Sequence, residues 1–289
     1  MAEYIDRGKI KREVRTLLRD AQVAPKRFFA LYLALAWLMR LISFFANGGG
    51  SMPDFSNPPG LFVWVLVSLV SLILEAGCWL YCAAVLRGER AEYLTLFDGF
   101  SFVGKLILLY LAKMLLVFLW TVPSSMIFGV LVAVYGSEIV LFSLLMFPLL
   151  IPPLLALYRY RFAILNLCEA PELGVMETLE MSKRQTFGYK GQLFALDLSF
   201  LGWMLLSYFP AIYLYTAVYA SLLGYSLPVP GSGLSVALQV LFPVAAGVFY
   251  LPQYRSAELR YFEIAKRTSG VSFDSRLRDR GPDDLGGCF

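Results

Sequence analysis

Long unbroken apolar runs alternate along this chain with short polar or basic connections. The runs cover Phe28 to Ala46, Leu61 to Leu86, about Phe102 to Val122, about Ile139 to Tyr158, about Leu193 to Leu214 and Leu234 to Leu251. Each approaches the roughly 20 residues that an α-helix needs to cross a bilayer. Hydrocarbon leaves no water to pair backbone amides, so only helices and closed barrels span it. Barrel strands would read as alternating segments of about ten residues; these runs do not alternate and predict helices. NGGGSMPDFSNPPG, between the first two runs, carries the Gly, Pro and Asn of a loop and makes them a hairpin. The remaining runs pair in the same way. The predicted fold is all-α, a polytopic membrane bundle of about six transmembrane helices in three hairpins. Apolar sequence continues past Pro123 to Val134 and past Pro210 to Leu223. A straight helix over either stretch would be roughly 50 Å long, so a proline kink or a short interfacial helix is expected at each.

Two shorter segments follow an amphipathic helical period. Ile10, Val14, Leu17, Leu18 and Ala21 recur at helical spacing with basic residues between them, the pattern of a helix lying in the membrane interface. Val175, Met176, Leu179 and Phe187 predict a second cytoplasmic helix lying on the membrane, with Ser182, Lys183, Arg184 and Lys190 turned toward headgroups or a partner. Residues 1–27 therefore read as a basic amphipathic segment and 28–265 as the membrane domain. Residues 266–289 read as a Gly-, Asp- and Arg-rich disordered tail.

Composition agrees with lipid as a solvent: 58% of residues are hydrophobic and 16% charged, with mean hydropathy +0.65. Lys and Arg cluster before the first run and after the second, fourth and sixth, while connections 47–60, 123–138 and 221–233 contain none. Cytoplasmic flanks carry that excess, which predicts both termini in the cytoplasm, a cell-membrane location, and anionic lipid headgroups as partners. Nothing in the pattern points to nucleic acid. The first run follows a long charged segment and lacks a small-residue cleavage pattern, so a removable signal is not expected.

The chain has no histidine, and its cysteines are Cys78, Cys82, Cys168 and Cys288. That removes most zinc, haem and triad chemistry, and no Gly-rich phosphate loop is present; no metal, cofactor or catalytic group is predicted. Cys78 and Cys82, one turn apart, read as small packing residues. Adjacent Ser182 and Lys183 point about 100° apart on a helix, which does not suit a nucleophile and its base. Ionisable groups inside the apolar runs are Arg40, Glu75, Lys105, Lys113 and Asp197. Such groups are costly there and are functional candidates. Counted from the cytoplasmic helix ends, Lys105 is within roughly 5 Å of the interface, where it snorkels. Glu75 and Lys113 each lie roughly 16 Å deep, where a charge pair would offset the burial cost of either. Asp197 lies roughly 9 Å deep and Arg40 in the outer third. Two readings follow: a helix-packing Glu75–Lys113 pair, or a proton or substrate relay through Glu75, Lys113 and Asp197. Trp203 lies too deep for an interfacial belt and is expected between helices, with Gly202 allowing close approach.

GKLILLYLAKMLLVFLWTVP, from Gly104 to Pro123, aligns without gaps on GQLFALDLSFLGWMLLSYFP, from Gly191 to Pro210. This echo suggests that the second and third hairpins are parallel repeats. From about Arg87 to Phe262 the chain also resembles the bacterial domain-of-unknown-function 975 family. The resemblance is carried by LYRYRFAILNLCEAPELG (157–174), ETLEMSKRQTFGYKGQLFALDLSFLGWMLL (177–206) and PQYRSAELRYF (252–262). Within it, Ser182-Lys183, Lys190-Gly191 and Leu198 to Trp203 match the family pattern, and Pro252-Gln253-Tyr254 loosens it. The resemblance implies the multi-span topology and a relation to the membrane domain of some glycerophosphodiester phosphodiesterases; it implies no activity. The expected function is a non-enzymatic membrane factor binding lipid or a membrane partner through its basic cytoplasmic face. The alternative is a small-molecule transporter or exporter subunit using Glu75, Lys113 and Asp197. A lipid-active enzyme ranks last, resting on fold analogy alone.

Overall fold

The computed structural model describes residues 3–21, 23–48, 56–135, 149, 151–222 and 232–271. Among the described residues the regular structure is helical and no strand occurs. In chain order the helices are α1 (Arg7–Arg19), α2 (Pro25–Ala46), α3 (Pro58–Arg87), a 3-10 segment (Tyr93–Phe102) and α4 (Val103–Tyr135). Then come α5 (151–159), α6 (Ala163–Glu169), α7 (Val175–Gln185), α8 (Lys190–Leu198), α9 (Leu201–Leu222) and α10 (Ser232–Ser269).

Among the described residues three stretches are long and apolar enough to cross a membrane: Pro25–Ala46, Pro58–Arg87 and Tyr93–Leu131. A fourth qualifies if Lys190–Leu198 and Leu201–Pro210, bent by 53°, form one span. The first, second, third and fifth predicted runs thus fall on α2, α3, α4 and the α8–α9 pair. The fourth run falls largely on residues outside those described, as do parts of the connections 47–60, 123–138 and 221–233 and the tail beyond Val271. Helix α10 covers the sixth run and continues 18 residues past it, to Ser269.

Helices continue through both prolines, α4 through Pro123 and α9 through Pro210. Around Pro123, which has no N–H to donate, hydroxyls occupy nearby carbonyls: Thr121 donates to Phe118 and Ser125 to Thr121, at 2.7 and 2.8 Å. A bend of 53° falls at Ser199–Phe200, between α8 and α9. The two echoing segments therefore differ in shape, one continuous and one broken at mid-length, so their sequence match does not extend to conformation.

The chain forms two compact units. One comprises Asp6–Ser101 and Phe194–Arg260, the other Met1–Ile5, Phe102–Leu193 and Tyr261–Phe289. In the first, α2 and α1 pack on α3. Asn57 caps α3 by accepting from the Gly60 amide at 3.3 Å and donates to the Ala46 carbonyl at 3.1 Å, tying the end of α2 to the start of α3. At the other end Phe28 stacks on Tyr81, centroids 3.7 Å apart, and the Tyr81 hydroxyl donates to the Val23 carbonyl. The 3-10 segment presses its backbone on α3 so closely that a Cβ built at Gly77 would stand 2.1 Å from the Leu96 carbonyl oxygen.

In the second unit the opening turns of α4 pack on α6 and α7, burying Leu106 and Leu109. The inner face of α7 is polar, with Thr178, Ser182 and Gln185 buried, and Thr186 just beyond its end buried with them. These groups are satisfied from within. Asn166 and Gln185 exchange side-chain amide hydrogen bonds of 2.9 and 3.0 Å, and Gln185 also donates to the Val271 carbonyl. Residues Glu3 to Ile5 are tied to Tyr189 and Gln192 by hydrogen bonds of 2.9 to 3.0 Å.

Along the apolar helices, burial changes with position. On α3 the buried residues cluster from Ile73 to Leu86, whereas Phe62, Trp64, Val65 and Leu66 are exposed. On α4 the described face is buried at Leu106 and Leu109, and then Leu111, Met114, Leu115, Phe118 and Leu119 are exposed. Large apolar side chains in such number are stable outside a protein core only where lipid covers them.

Candidate functional site

In the first unit the N-terminal helix is amphipathic as the spacing indicates, but its apolar stripe is already used. Ile10, Val14 and Leu18 are buried, with Val14 fully enclosed. The expected lipid-lying arrangement is thus corrected: this stripe packs inside the fold and is not available to a bilayer. Asp6 caps the helix by accepting from the Gly8 and Lys9 amides. Lys9, Arg12, Arg15 and Arg19 are exposed on the opposite side.

Two other basic residues of α1 reach the break in the α8–α9 pair. Arg7 donates to the Ala195 carbonyl at 3.2 Å and Lys11 to the Ser199 carbonyl at 3.4 Å, and the Lys11 ammonium stands 4.0 Å from the Phe200 ring centroid. A helix end leaves carbonyls unpaired and partially negative, so cations there are favourable. Burial, together with Arg7 and Arg15, holds the Lys11 pKa below its ordinary value. Asp197, just before the break, accepts from the Tyr254 hydroxyl at 2.9 Å, and Phe200 meets the Tyr254 ring edge-on at 5.4 Å.

Glu75 is bonded by Arg255. The Arg255 guanidinium donates to the Glu75 carboxylate at 3.1 Å, stacks 4.4 Å from the Trp79 ring centroid and lies 4.0 Å from the buried Glu258 carboxylate. Arg255 stands beyond the last apolar run, among the basic residues that sequence reasoning assigned to topology alone. Its spacing of three to Glu258 is the signal that was available. Arg40 is exposed on α2. Lys113 belongs to the other unit, 6.0 Å from the Tyr110 ring centroid. There Lys105 donates to the Pro171 carbonyl at 2.6 Å instead of reaching outward.

Helix α7 corrects the expected headgroup face. Ser182 is fully buried: its hydroxyl accepts from the Phe162 amide and donates to the Arg159 carbonyl, each at 3.1 Å, fastening α7 to the turn after α5. Val175 and Leu179 are buried beside it, while Met176 and Phe187 are exposed. The outer face carries Met176, Glu180, Lys183 and Arg184, with Glu177 half-buried at its edge and Arg184 paired to Glu180. Lys190 is half-buried at the start of α8. An open cleft of about 500 Å³ lies along this face, lined by Leu116, Tyr160, Met176, Glu177, Leu179, Glu180 and Lys183. Trp203, expected between helices, is exposed, and among the described residues nothing lies within 4 Å of a Cβ built at Gly202.

No curated protein and no solved structure matches the chain. A family model does, and its match begins at the first residue, well before the segments that carry the resemblance in sequence, and stops short of Pro252–Phe262. It therefore takes in α1, α2 and α3 with Glu75, the break at Ser199–Phe200 and Asp197, and leaves out Tyr254 and Arg255. With residues 1–251 matched, the chain belongs to the family described as "Protein of unknown function (DUF975)".

Proposed function

We propose that this chain is a multi-pass protein of the cell membrane, six-spanned with both termini in the cytoplasm, that acts without catalysis by holding anionic lipid headgroups on the basic outer face of α1. The observation that carries the reading is the division of labour on that helix. Ile10, Val14 and Leu18 are spent inside the fold, so Lys9, Arg12, Arg15 and Arg19 are held outward on a fixed support. A polybasic face beside a membrane attracts anionic lipid by about 1 kcal/mol per residue, less at high salt.

The same helix bears on depth. Because α1 packs on α3 and turns charged residues outward, the buried half of α3 is at the level of water, not of lipid tails. Glu75 then lies near the boundary, and the distance from the helix end overstates its depth. Its pairing with Arg255, only four residues past the last apolar run, supports this.

The test is the association of spin-labelled phosphatidylglycerol with the reconstituted protein, relative to spin-labelled phosphatidylcholine. The wild type is expected to prefer phosphatidylglycerol, and the preference is expected to fall as salt rises. Replacing Lys9, Arg12, Arg15 and Arg19 by Glu should abolish it; an unchanged preference sinks the reading. A second reading, a transporter or exporter subunit, is favoured by the 53° break beside Asp197, since broken spans build substrate sites. It requires that Asp197→Asn or Glu75→Gln alter uptake or efflux while leaving lipid preference intact.

A further inference from the structure

In the first unit α1 carries a basic outer face and also holds other elements by its edges. At about 3.6 residues per turn, Lys11 borders the buried Ile10–Val14–Leu18 stripe on one side and Glu13 on the other. Glu13 accepts from the Arg260 guanidinium of α10 at 3.0 Å. Lys11 donates to the Ser199 carbonyl at 3.4 Å and Arg7, one turn earlier, to the Ala195 carbonyl at 3.2 Å. One short helix thus ties α10 to the 53° break between α8 and α9. The two ties differ in kind. Glu13 meets an opposite charge, whereas the groups that receive Arg7 and Lys11 are neutral: two carbonyl oxygens and the Phe200 ring, its centroid 4.0 Å from the Lys11 ammonium. Arg7, Lys11 and Arg15 recur every four residues, a spacing that sets like charges side by side, where they repel. Burial first, and then Arg7 and Arg15, hold the Lys11 pKa down. Both bonds to the break are exposed and lie at or beyond the long end of the ordinary range. The net strength of such a bond is of the same size as the attraction of one cation to an anionic membrane surface. An anionic headgroup on Arg15 removes one of the two repulsions on Lys11 and so favours the bonded arrangement over the released one. That differential interaction is what a ligand needs to shift an equilibrium between two arrangements.

We propose that α1 is a lipid-operated brace: anionic headgroups on its outer face tighten the hold of Lys11 and Arg7 on the α8–α9 break, and their absence slackens it. The ligand is the anionic lipid of the preceding reading, on which this proposal rests; the new element is that its binding is read out at the break. Broken spans are where substrate sites are built in membrane bundles. The brace therefore gives the lipid composition of the membrane a direct route to the bent span.

The experiment is hydrogen–deuterium exchange at the amides of Ser199, Phe200, Trp203 and Met204, which bond carbonyls at the break. The full chain is measured in nanodiscs of phosphatidylcholine alone and of phosphatidylcholine with phosphatidylglycerol. Exchange is expected to be about fivefold slower when phosphatidylglycerol is present, the factor that the attraction of one cation to the surface supplies. Lys11→Met should exchange fast in both bilayers while keeping the phosphatidylglycerol preference, because Lys9, Arg12, Arg15 and Arg19 are untouched. Lys11→Arg, which restores a cation at the same place, should regain the response. Spin-labelled lipid measured in the same discs separates the two possible failures. A phosphatidylglycerol preference with equal exchange in the two bilayers overturns the brace and leaves the headgroup reading standing. A response that survives in Lys11→Met also overturns the brace, since the break would then sense lipid by another route. A wild type without any phosphatidylglycerol preference overturns both.

Discussion

At Gly77 the absence of a side chain decides the packing. A Cβ there would collide with the backbone of Leu96, which cannot swing aside as a side chain would. Overpacking of this kind typically costs about 1–3 kcal/mol and more where backbone must move. Gly77→Ala is expected to lower the thermal unfolding temperature in detergent by several degrees, while Gly202→Ala, facing open space, leaves it near the wild-type value. The Asn166–Gln185 pair makes a sharper test. Gln185→Met strands a buried amide, at about 1–3 kcal/mol. Adding Asn166→Leu removes the stranded group, so the double variant should be more stable than Gln185→Met alone; additive losses in a double-mutant cycle would contradict the reciprocal bond. Removing Arg255 is predicted to be costly as well. Arg255→Met removes the guanidinium that bonds Glu75 and lies beside Glu258, and breaking a half-buried pair of this kind costs about 1–3 kcal/mol. Adding Glu75→Gln to that variant should restore part of the loss.

For α1, sequence and structure agree on the element and disagree on what covers it. Hydrophobic periodicity identifies which face is apolar, yet a buried stripe and a lipid-bound stripe have the same period. Labelling separates them. A single cysteine replacing Val14 should resist maleimide in lipid-free micelles as long as the protein is folded, whereas one replacing Arg15 reacts at once. Equal reactivity would return the helix to the membrane surface. Similar reasoning explains the other elements. The runs under α2 and α3 were legible because nothing else makes so many consecutive apolar residues stable. Helix α7 was legible as a helix, but its inner face is polar, with Ser182, Gln185 and Thr186 satisfied by partners about 20 residues away, and polarity was read as exposure. The break at Ser199–Phe200 carries no proline, whereas Pro123 and Pro210 sit in continuous helices. Glu75 and Asp197 stood out because they interrupt apolar sequence; Arg255 and Tyr254, which bond them, did not, because they lie among ordinary polar residues.

For the whole molecule, the topology reading predicts where reagents reach. In a cysteine-free background, single cysteines replacing Arg12 and Arg267 should label only from the cytoplasmic side, and one replacing Ser56 only from outside. Labelling of Arg12 and Arg267 from opposite sides would require an odd number of spans. The contact between Glu75 and Arg255 also bears on how the protein is made, because its partners are 180 residues apart in the chain. At synthesis rates of about 5–20 residues per second, Glu75 leaves the ribosome roughly 10–40 s before Arg255 exists. During that interval α3 stands at the membrane without the guanidinium that will bond its carboxylate. A chain truncated before α10 never makes this bond, which gives quality-control proteases a physical mark by which to recognise an unfinished product.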